Sequence, residues 1–118
     1  MKFERDPDIV RWLEMSHISE SSFQWDVGNK LKNLKHAVKK EEIEELFMIP
    51  FVVGGKILEP FHPENRWVLF GRTLMGRKLS LIFTIRDNLI RPISCRPMRK
   101  EEARIYEEGI KGSTSRGV

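Results

Sequence analysis

Residues 66–96 read RWVLFGRTLMGRKLSLIFTIRDNLIRPISCR, and a strand-like alternation of apolar and polar residues runs through them. The alternation is clearest over residues 79–86, where every odd-numbered position is apolar and the even-numbered ones include a serine, a threonine and an arginine. Gly76 and the pair Asp87-Asn88 supply turn signals between these segments. Together with an extended segment before them, they predict strands near 51–58, 66–73, 79–86 and 89–96.

Helical patterns lie on both sides of this block. Apolar residues at helical spacing predict helices at 7–15, 28–36 and 39–48, and a last helix at 98–108 with Gly109 as its stop. We therefore predict an α+β domain of about four helices and a small antiparallel sheet of three to four strands. We divide the chain into an N-terminal helix and loop (1–22), a main domain (23–108) and a flexible C-terminal tail (109–118).

Length and composition exclude several classes of protein. With 118 residues the chain is long enough for one domain with a real core and too short for two. No apolar run approaches the roughly 20 residues that a membrane-spanning helix needs, and the N-terminus has no hydrophobic signal region. The single Cys95 cannot form an internal disulfide, which fits a reducing compartment. We expect a cytoplasmic protein without membrane contact.

Motifs for metals, nucleotides and serine nucleophiles are missing from the sequence. Three scattered histidines and one cysteine, without CxxC or HExxH spacing, form no recognisable zinc site. There is no glycine-rich phosphate loop and no GxSxG sequence. We therefore expect no metal and no cofactor.

Positive charge is concentrated in one block of the chain. The net charge is +4, but residues 66–104 hold ten lysines and arginines against three acidic residues, a local charge of +7. An arginine side chain can grip a phosphate through two parallel hydrogen bonds and stays protonated at any physiological pH. A basic block within the folded domain indicates that the body of the protein binds a polyanion.

Four blocks of sequence, in order, resemble the BrnT toxin family. They are FQWDVGNKLKNLKHAV (23–38), EEIEELF (41–47), RWVLFGRTLMGRKLSLIFTIR (66–86) and IRPISCRPMRKEEARIYEE (90–108). Family members typically read F-x-W-D, N-x-x-K-H-G-V, R-W-x-x-I-G-R-T/S, T-x-R, I-R-x-I-S-A-R and E-x-x-x-Y. The similarity covers about residues 23–108, the segment that we expect to form the main domain.

This resemblance implies a fold and a function that composition and periodicity do not. It implies a small fold like that of the RelE ribonuclease toxins, and an endoribonuclease that inhibits translation by attacking RNA. It also implies a BrnA-like antitoxin as partner. The ribbon-helix-helix part of such an antitoxin binds operator DNA, so that the complex would contact DNA through the antitoxin.

RNA cleavage without a metal moves the neighbouring 2′-hydroxyl onto phosphorus, which requires cations around the phosphate and groups that transfer protons. Four arginines match arginine positions of the family pattern, and a fifth lies close by: Arg72, Arg86, Arg91, Arg96 and Arg99. For proton transfer the candidates are His36, at the family's K-H position, Lys35 and Tyr106. Trp67 could stack on a base, although core packing is the commoner use of such a residue.

Which arginines converge depends on the turn at Asp87-Asn88. A two-residue turn places Thr84, Arg86 and Arg91 on one face, with Ser94 and Arg96 on the other. A three-residue turn reverses the parity and gathers Thr84, Arg86, Ser94 and Arg96. The sequence leaves both arrangements open.

Pro92 adds a second uncertainty to this strand, since relatives usually have an ordinary residue at that position. Proline lacks the N–H that a central strand donates, so the strand must be an edge strand or bulged there. Two further departures are Ala37, where the family has glycine, and Met98, where a small residue is common. These departures, and the missing acid/base pair, leave a second function open: a non-catalytic domain of the same fold that binds its antitoxin and nucleic acid.

Overall fold

The computed structural model describes residues 1–34 and 36–116. Within them, four α-helices and five strands follow one another, with a 3-10 turn at Glu20–Ser22. In chain order the elements are β1 (Lys2–Glu4), α1 (Pro7–Met15), α2 (Val27–Leu34), α3 (Lys40–Glu45), β2 (Val52–Glu59), β3 (Trp67–Arg72), β4 (Lys78–Arg86), β5 (Leu89–Pro97) and α4 (Lys100–Arg116).

The strands form a single antiparallel sheet in the order β1-β2-β3-β4-β5. The predicted α+β class and the predicted antiparallel sheet are confirmed, but the sheet has five strands instead of three to four. Among the described residues, no helix is long and apolar enough to cross a membrane.

The strand that the sequence did not reveal is β1, which pairs with β2 at the edge of the sheet. Three residues are too few to display an alternating pattern, so its existence depends on the partner strand. Gly55 makes the pairing possible: its φ is +145°, and a Cβ there would lie 1.9 Å from the carbonyl oxygen of Glu4. Only glycine allows the two backbones to approach so closely.

Apolar side chains cover both faces of the sheet. On one face Leu69, Leu81 and Phe83 are fully buried beneath α1, α2 and α3, in a cluster that includes Ile9 and Leu13 of α1. On the other face Val68 and Phe70 pack against Tyr106 of α4. Helix α4 lies mainly over β2 and β3, and it reaches β4 and β5 through the ion pairs Lys78–Glu107 and Arg96–Glu102.

The predicted helix boundaries lie within two residues of the observed ones, except at the ends of α3 and α4. The turns after α3 tighten, because Phe47 and Met48 donate backbone hydrogen bonds to residues three positions back, ahead of Pro50. Helix α4 does not stop at Gly109, and that prediction is wrong: the helix continues to Arg116. Gly109 lies instead where α4 crosses β2, and a Cβ there would come within 2.6 Å of Cγ2 of Val52.

Replacing Gly109 with alanine should therefore destabilise the protein, even though alanine favours helix. Overpacking costs about 1–3 kcal/mol, and the gain in helix propensity offsets about 1 kcal/mol of it. We expect a net loss of about 1 kcal/mol in the free energy of unfolding, measured by urea titration. In a Val52→Ala background, which opens the space, the same substitution should be neutral or stabilising. A stabilising effect in the presence of Val52 would contradict this close contact.

Candidate nucleic-acid interface

A two-residue turn joins β4 to β5. Asp87 and Asn88 have φ values of +53° and +61°, as a type I′ turn requires, and aspartate and asparagine tolerate this region well. Across the turn Arg86 pairs with Leu89 and Thr84 pairs with Arg91. Of the two arrangements left open by the sequence, this part matches the two-residue turn.

Beyond Pro92 the register of β4 and β5 changes. As a result, the residues of both predicted arrangements lie on the same face of the sheet. Phe83 pairs with Pro92, but Ile82 pairs with Ser94, so Ile93 is an extra residue in an edge strand. The strand is thus both an edge strand and bulged at Pro92, the two possibilities that the sequence left open. The extra residue shifts the alternation of side chains by one position, so that Ser94 and Arg96 lie on the same face as Thr84. All five predicted residues of the hairpin consequently lie on one sheet face, which we call the arginine face: Thr84, Arg86, Arg91, Ser94 and Arg96.

At the turn end of the arginine face, Arg86 shares a carboxylate with Arg66. Nη2 of Arg86 lies 3.0 Å from Oε2 of Glu64, and Nη2 of Arg66 lies 3.1 Å from Oε1 of the same residue. These three side chains and Arg91 line a small cavity of about 200 Å³. The cavity has the size and the donors for a phosphate group.

Arg91 is held from the other side by the start of α2. Its guanidinium lies 2.9 Å from Oδ2 of Asp26, and Nη1 also donates to the side-chain oxygen of Gln24 at 3.4 Å. Nδ2 of Asn29 donates to the carbonyl oxygen of Pro92, which attaches α2 to the bulge. The bulge thus orients Arg91 and provides the docking point for the helix that pairs with it.

The acidic partners at this end are firmly ionised. Burial opposes ionisation of Glu64, but hydrogen bonds from Arg86 and Arg66 outweigh it and hold the pKa below its ordinary value. The backbone N–H of Asn29 and the side chain of Arg91 lower the pKa of Asp26 in the same way. A bound phosphate must therefore compete with carboxylates for these arginines.

The two hydroxyl groups of the arginine face differ in their surroundings. Thr84 is buried, and its Oγ1 donates to the carbonyl oxygen of Asn65 at 2.6 Å, which fixes the loop before β3. Ser94 is half-buried, and its hydroxyl makes no hydrogen bond within residues 1–34 and 36–116. Ser94 is thus the hydroxyl still open to a ligand.

At the opposite end of the face, Arg96 is bound to α4. Its two Nη atoms lie 2.7 and 2.8 Å from the two carboxylate oxygens of Glu102, which also accepts the backbone N–H of Arg99. Burial opposes ionisation of Glu102, but these contacts keep its pKa below the ordinary value. Arg96 therefore connects the sheet to α4, whatever else it does.

Arg72 and Arg99 are the exposed arginines of this end. Arg72 ends β3 and lies opposite Lys78 in the sheet, on the same face as Arg96. In the part of the chain that the structure describes, the side chains of Arg72 and Arg99 have no hydrogen-bond or ion-pair partner. Both guanidinium groups are available to bind an anion.

The structure does not bring His36 next to Arg86 or Arg91. Its side chain is exposed, and its carbonyl oxygen accepts a hydrogen bond of 2.9 Å from Nη2 of Arg77. Arg77 directly precedes β4, whereas Arg86 ends it, so nearly the full length of that strand separates them. The neighbouring Ala37 stands at the position where the family has glycine. Its φ of +53° is a left-handed backbone conformation that glycine adopts most easily. Lys35 lies outside the described residues.

The aromatic candidates are used in packing. Nε1 of Trp67 donates to Oδ2 of Asp6 at 2.8 Å, and its ring packs on Phe83 with centroids 5.8 Å apart. Tyr106 is only 4% exposed and lies in the cluster beneath α4. Tyr106 is therefore buried too deeply to stack on a base, whereas Trp67 is partly exposed and lines a cavity of about 530 Å³ beside α1.

Other chemistries find little support among the side chains. Burial raises the pKa of the Cys95 thiol to about 12, so it is no nucleophile. Among the described residues, no three His, Cys, Asp or Glu side chains form a group that could hold a metal.

Several residues of the interface were not predicted from the sequence: Asp26, Glu64, Arg66 and Glu102. Arg66 opens the family's R-W block, and this was a signal that could have marked it as a phosphate ligand. Asp26 and Glu102 occupy the acidic positions of the family's F-x-W-D and E-x-x-x-Y blocks, which was a comparable signal, whereas Glu64 lies in none of the blocks.

A model of the BrnT ribonuclease toxins of type II toxin-antitoxin systems matches residues 25–102 of the chain. That segment contains α2, α3, four of the five strands and the whole arginine face; β1 and α1 lie before it. A comparison with individually curated proteins finds no similar sequence.

Proposed function

The chain belongs to the BrnT family of ribonuclease toxins of type II toxin-antitoxin systems, and from this we propose that it is an endoribonuclease that arrests translation by cutting RNA at the arginine face. The observation that carries the proposal is the cavity of phosphate size that Arg66, Arg86 and Arg91 line, on a sheet face that also carries Ser94 and Arg96.

The chemistry that we propose is metal-independent attack of the ribose 2′-hydroxyl oxygen on the adjacent phosphorus. The bond from phosphorus to the 5′-oxygen breaks, which leaves a 2′,3′-cyclic phosphate, and the proton taken from the 2′-hydroxyl is returned to the leaving 5′-oxygen. Arg66, Arg86 and Arg91 surround a cavity of phosphate size, where they would stabilise the charge that develops on the phosphate oxygens. The phosphate would displace Glu64 and Asp26 from these arginines. A displaced carboxylate beside the phosphate is a proton acceptor for the 2′-hydroxyl, a role that His36 is too distant to serve in this conformation.

The fold and the partner complete the proposal. Helices on one face of an antiparallel sheet, with cations on the other face, fit a RelE-like nuclease. As partner we propose a BrnA-like antitoxin, whose ribbon-helix-helix part would carry the complex to operator DNA.

Inducing the chain alone in bacteria tests the function. We expect growth arrest and fragmented RNA, and we expect the purified protein to cut RNA in the presence of EDTA. Coexpression of the antitoxin should restore growth. Normal growth with intact RNA, in cells that accumulate the soluble protein, would argue against an RNA-cleaving toxin.

One observation favours the non-catalytic alternative. Each arginine of the arginine face already has a carboxylate partner, namely Glu64, Asp26 or Glu102. If those pairs do not open, the protein would bind RNA through Arg72 and Arg99 by charge alone. Binding that falls steeply with salt, without any cleavage, would identify this alternative.

A further inference from the structure

The turn between β3 and β4 has an unusual composition for an exposed position. Residues 73–77 read TLMGR, and the side chains of Leu74 and Met75 are 70% and 93% exposed. Tight turns are normally built from glycine, proline and small polar residues. Two large apolar side chains side by side in such a turn are typical of a surface that another molecule covers.

Hydrogen bonds order the backbone of this turn in spite of its exposure. Thr73 is buried; its N–H donates to the carbonyl oxygen of Arg77, and its Oγ1 accepts the N–H of Arg77. The N–H of Gly76, at a φ of +87°, donates back to Thr73. Because the loop is already ordered, binding of a partner here would lose little conformational entropy from it.

Glu45 connects the turn to a third exposed apolar residue. Its Oε1 accepts the N–H of Leu74 at 2.9 Å, and its backbone carbonyl accepts the N–H of Met48 at 3.0 Å. Met48 is itself more than half exposed. We call Met48, Leu74 and Met75 the apolar turn surface.

The charge at the edge of this surface indicates what its partner carries. Arg72 lies two residues before Leu74 and has no side-chain partner in the described part of the chain. Its neighbour across the strands, Lys78, is paired with Glu107, and Glu45 is engaged by Leu74. The open cation at this edge is thus the guanidinium of Arg72, on a protein of net charge +4, while the carboxylate of Glu45 keeps its negative charge because its partner is a neutral backbone N–H.

We propose that the apolar turn surface is the docking site of the antitoxin, and that the antitoxin binds it with an amphipathic segment whose apolar side chains are flanked by a carboxylate for Arg72. The proposal rests on the proposed function, which supplies the antitoxin.

The double substitution Leu74→Ser/Met75→Ser tests the docking site. Both side chains point into solvent, so the fold and the toxicity of the chain expressed alone should be unchanged. The dissociation constant for the purified antitoxin, measured by titration calorimetry, should rise at least about 100-fold, as expected for the loss of two central apolar anchors. In cells, coexpressed antitoxin should no longer restore growth.

Met15→Ser is the matched control, because Met15 is 72% exposed but lies on α1, away from the turn. It should leave the affinity within about twofold. Arg72→Glu should weaken the affinity at least about tenfold through charge reversal. Unchanged affinity in the double variant, or equal weakening by Met15→Ser, would overturn the docking site. Failure of the proposed function is distinguishable, since wild-type protein would then bind antitoxin but cut no RNA.

Discussion

Replacing Arg86 and Arg91 together with alanine is expected to abolish growth arrest and to slow RNA cleavage at least about 100-fold. Removal of even one preorganised donor at a reacting centre commonly costs about 100- to 1,000-fold in rate. These two residues stand on either side of the hairpin turn and line the phosphate-sized cavity with Arg66. The measurement is the single-turnover rate of cleavage of a defined RNA by each purified variant.

The substitution should change activity with little effect on folding. Asp26 is exposed enough to be hydrated when Arg91 is gone, and Glu64 keeps its contact with Arg66. Arg11→Ala is the control, because Arg11 is an exposed arginine of α1 whose closest acidic partner is Asp8 at 3.7 Å. Cleavage by the double variant at the wild-type rate would place the chemistry elsewhere, most directly at Arg72.

The strands of the hairpin could be predicted from the sequence because their signals are local. Alternation over 79–86 and an aspartate-asparagine pair suited to positive φ identify β4, the turn and β5, and the observed strands differ from the prediction by one residue at an end. The strand β1 could not be predicted in this way. Its three residues form a strand only because they pair with β2. Gly55 of β2 lies where the two backbones approach each other most closely.

The direction of the side chains beyond Pro92 shows where such local reasoning ends. Proline signals an irregular strand, but the position of the extra residue depends on how β5 packs against α2. One inserted residue moves Ser94 and Arg96 to the other face of the sheet. The sequence therefore singled out these arginines, but only the strand register showed how many of them share one face of the sheet.

The pairing of the carboxylates with the arginines of the face was beyond prediction for a related reason. Glu64 comes from the loop before β3, Asp26 from the start of α2 and Glu102 from α4. Each pair depends on the docking of an element whose position no local pattern specifies. These pairs decide whether an arginine is free to bind phosphate, and therefore which substitutions report on catalysis and which on stability.

Arg96→Met is the second large effect that we expect, and it concerns stability. The substitution keeps the apolar stem but leaves the carboxylate of Glu102, whose side chain is 11% exposed, without its bidentate partner. Breaking a buried ion pair from one side costs about 3–5 kcal/mol. Because Arg96 is about a quarter exposed, water will compensate in part. We expect the free energy of unfolding to fall by about 2–3 kcal/mol in urea titrations at neutral pH.

The matched double variant Arg96→Met/Glu102→Gln separates the stranded charge from the lost hydrogen bonds. Glutamine is neutral and can still accept the N–H of Arg99, so the double variant should recover about half of the loss.

The pH dependence of stability gives an independent test of the Arg96–Glu102 pair. Since the folded pKa of Glu102 is lowered, its contribution is complete above the ordinary value of 4.5 and is lost as the pH falls through the folded value. Wild-type protein should therefore lose more stability than Glu102→Gln on acidification from about pH 5 to about pH 3. Equal losses in the two proteins, with no effect of Arg96→Met at neutral pH, would show that the pair contributes nothing to stability, and loss of toxicity in Arg96→Met would then report on catalysis directly.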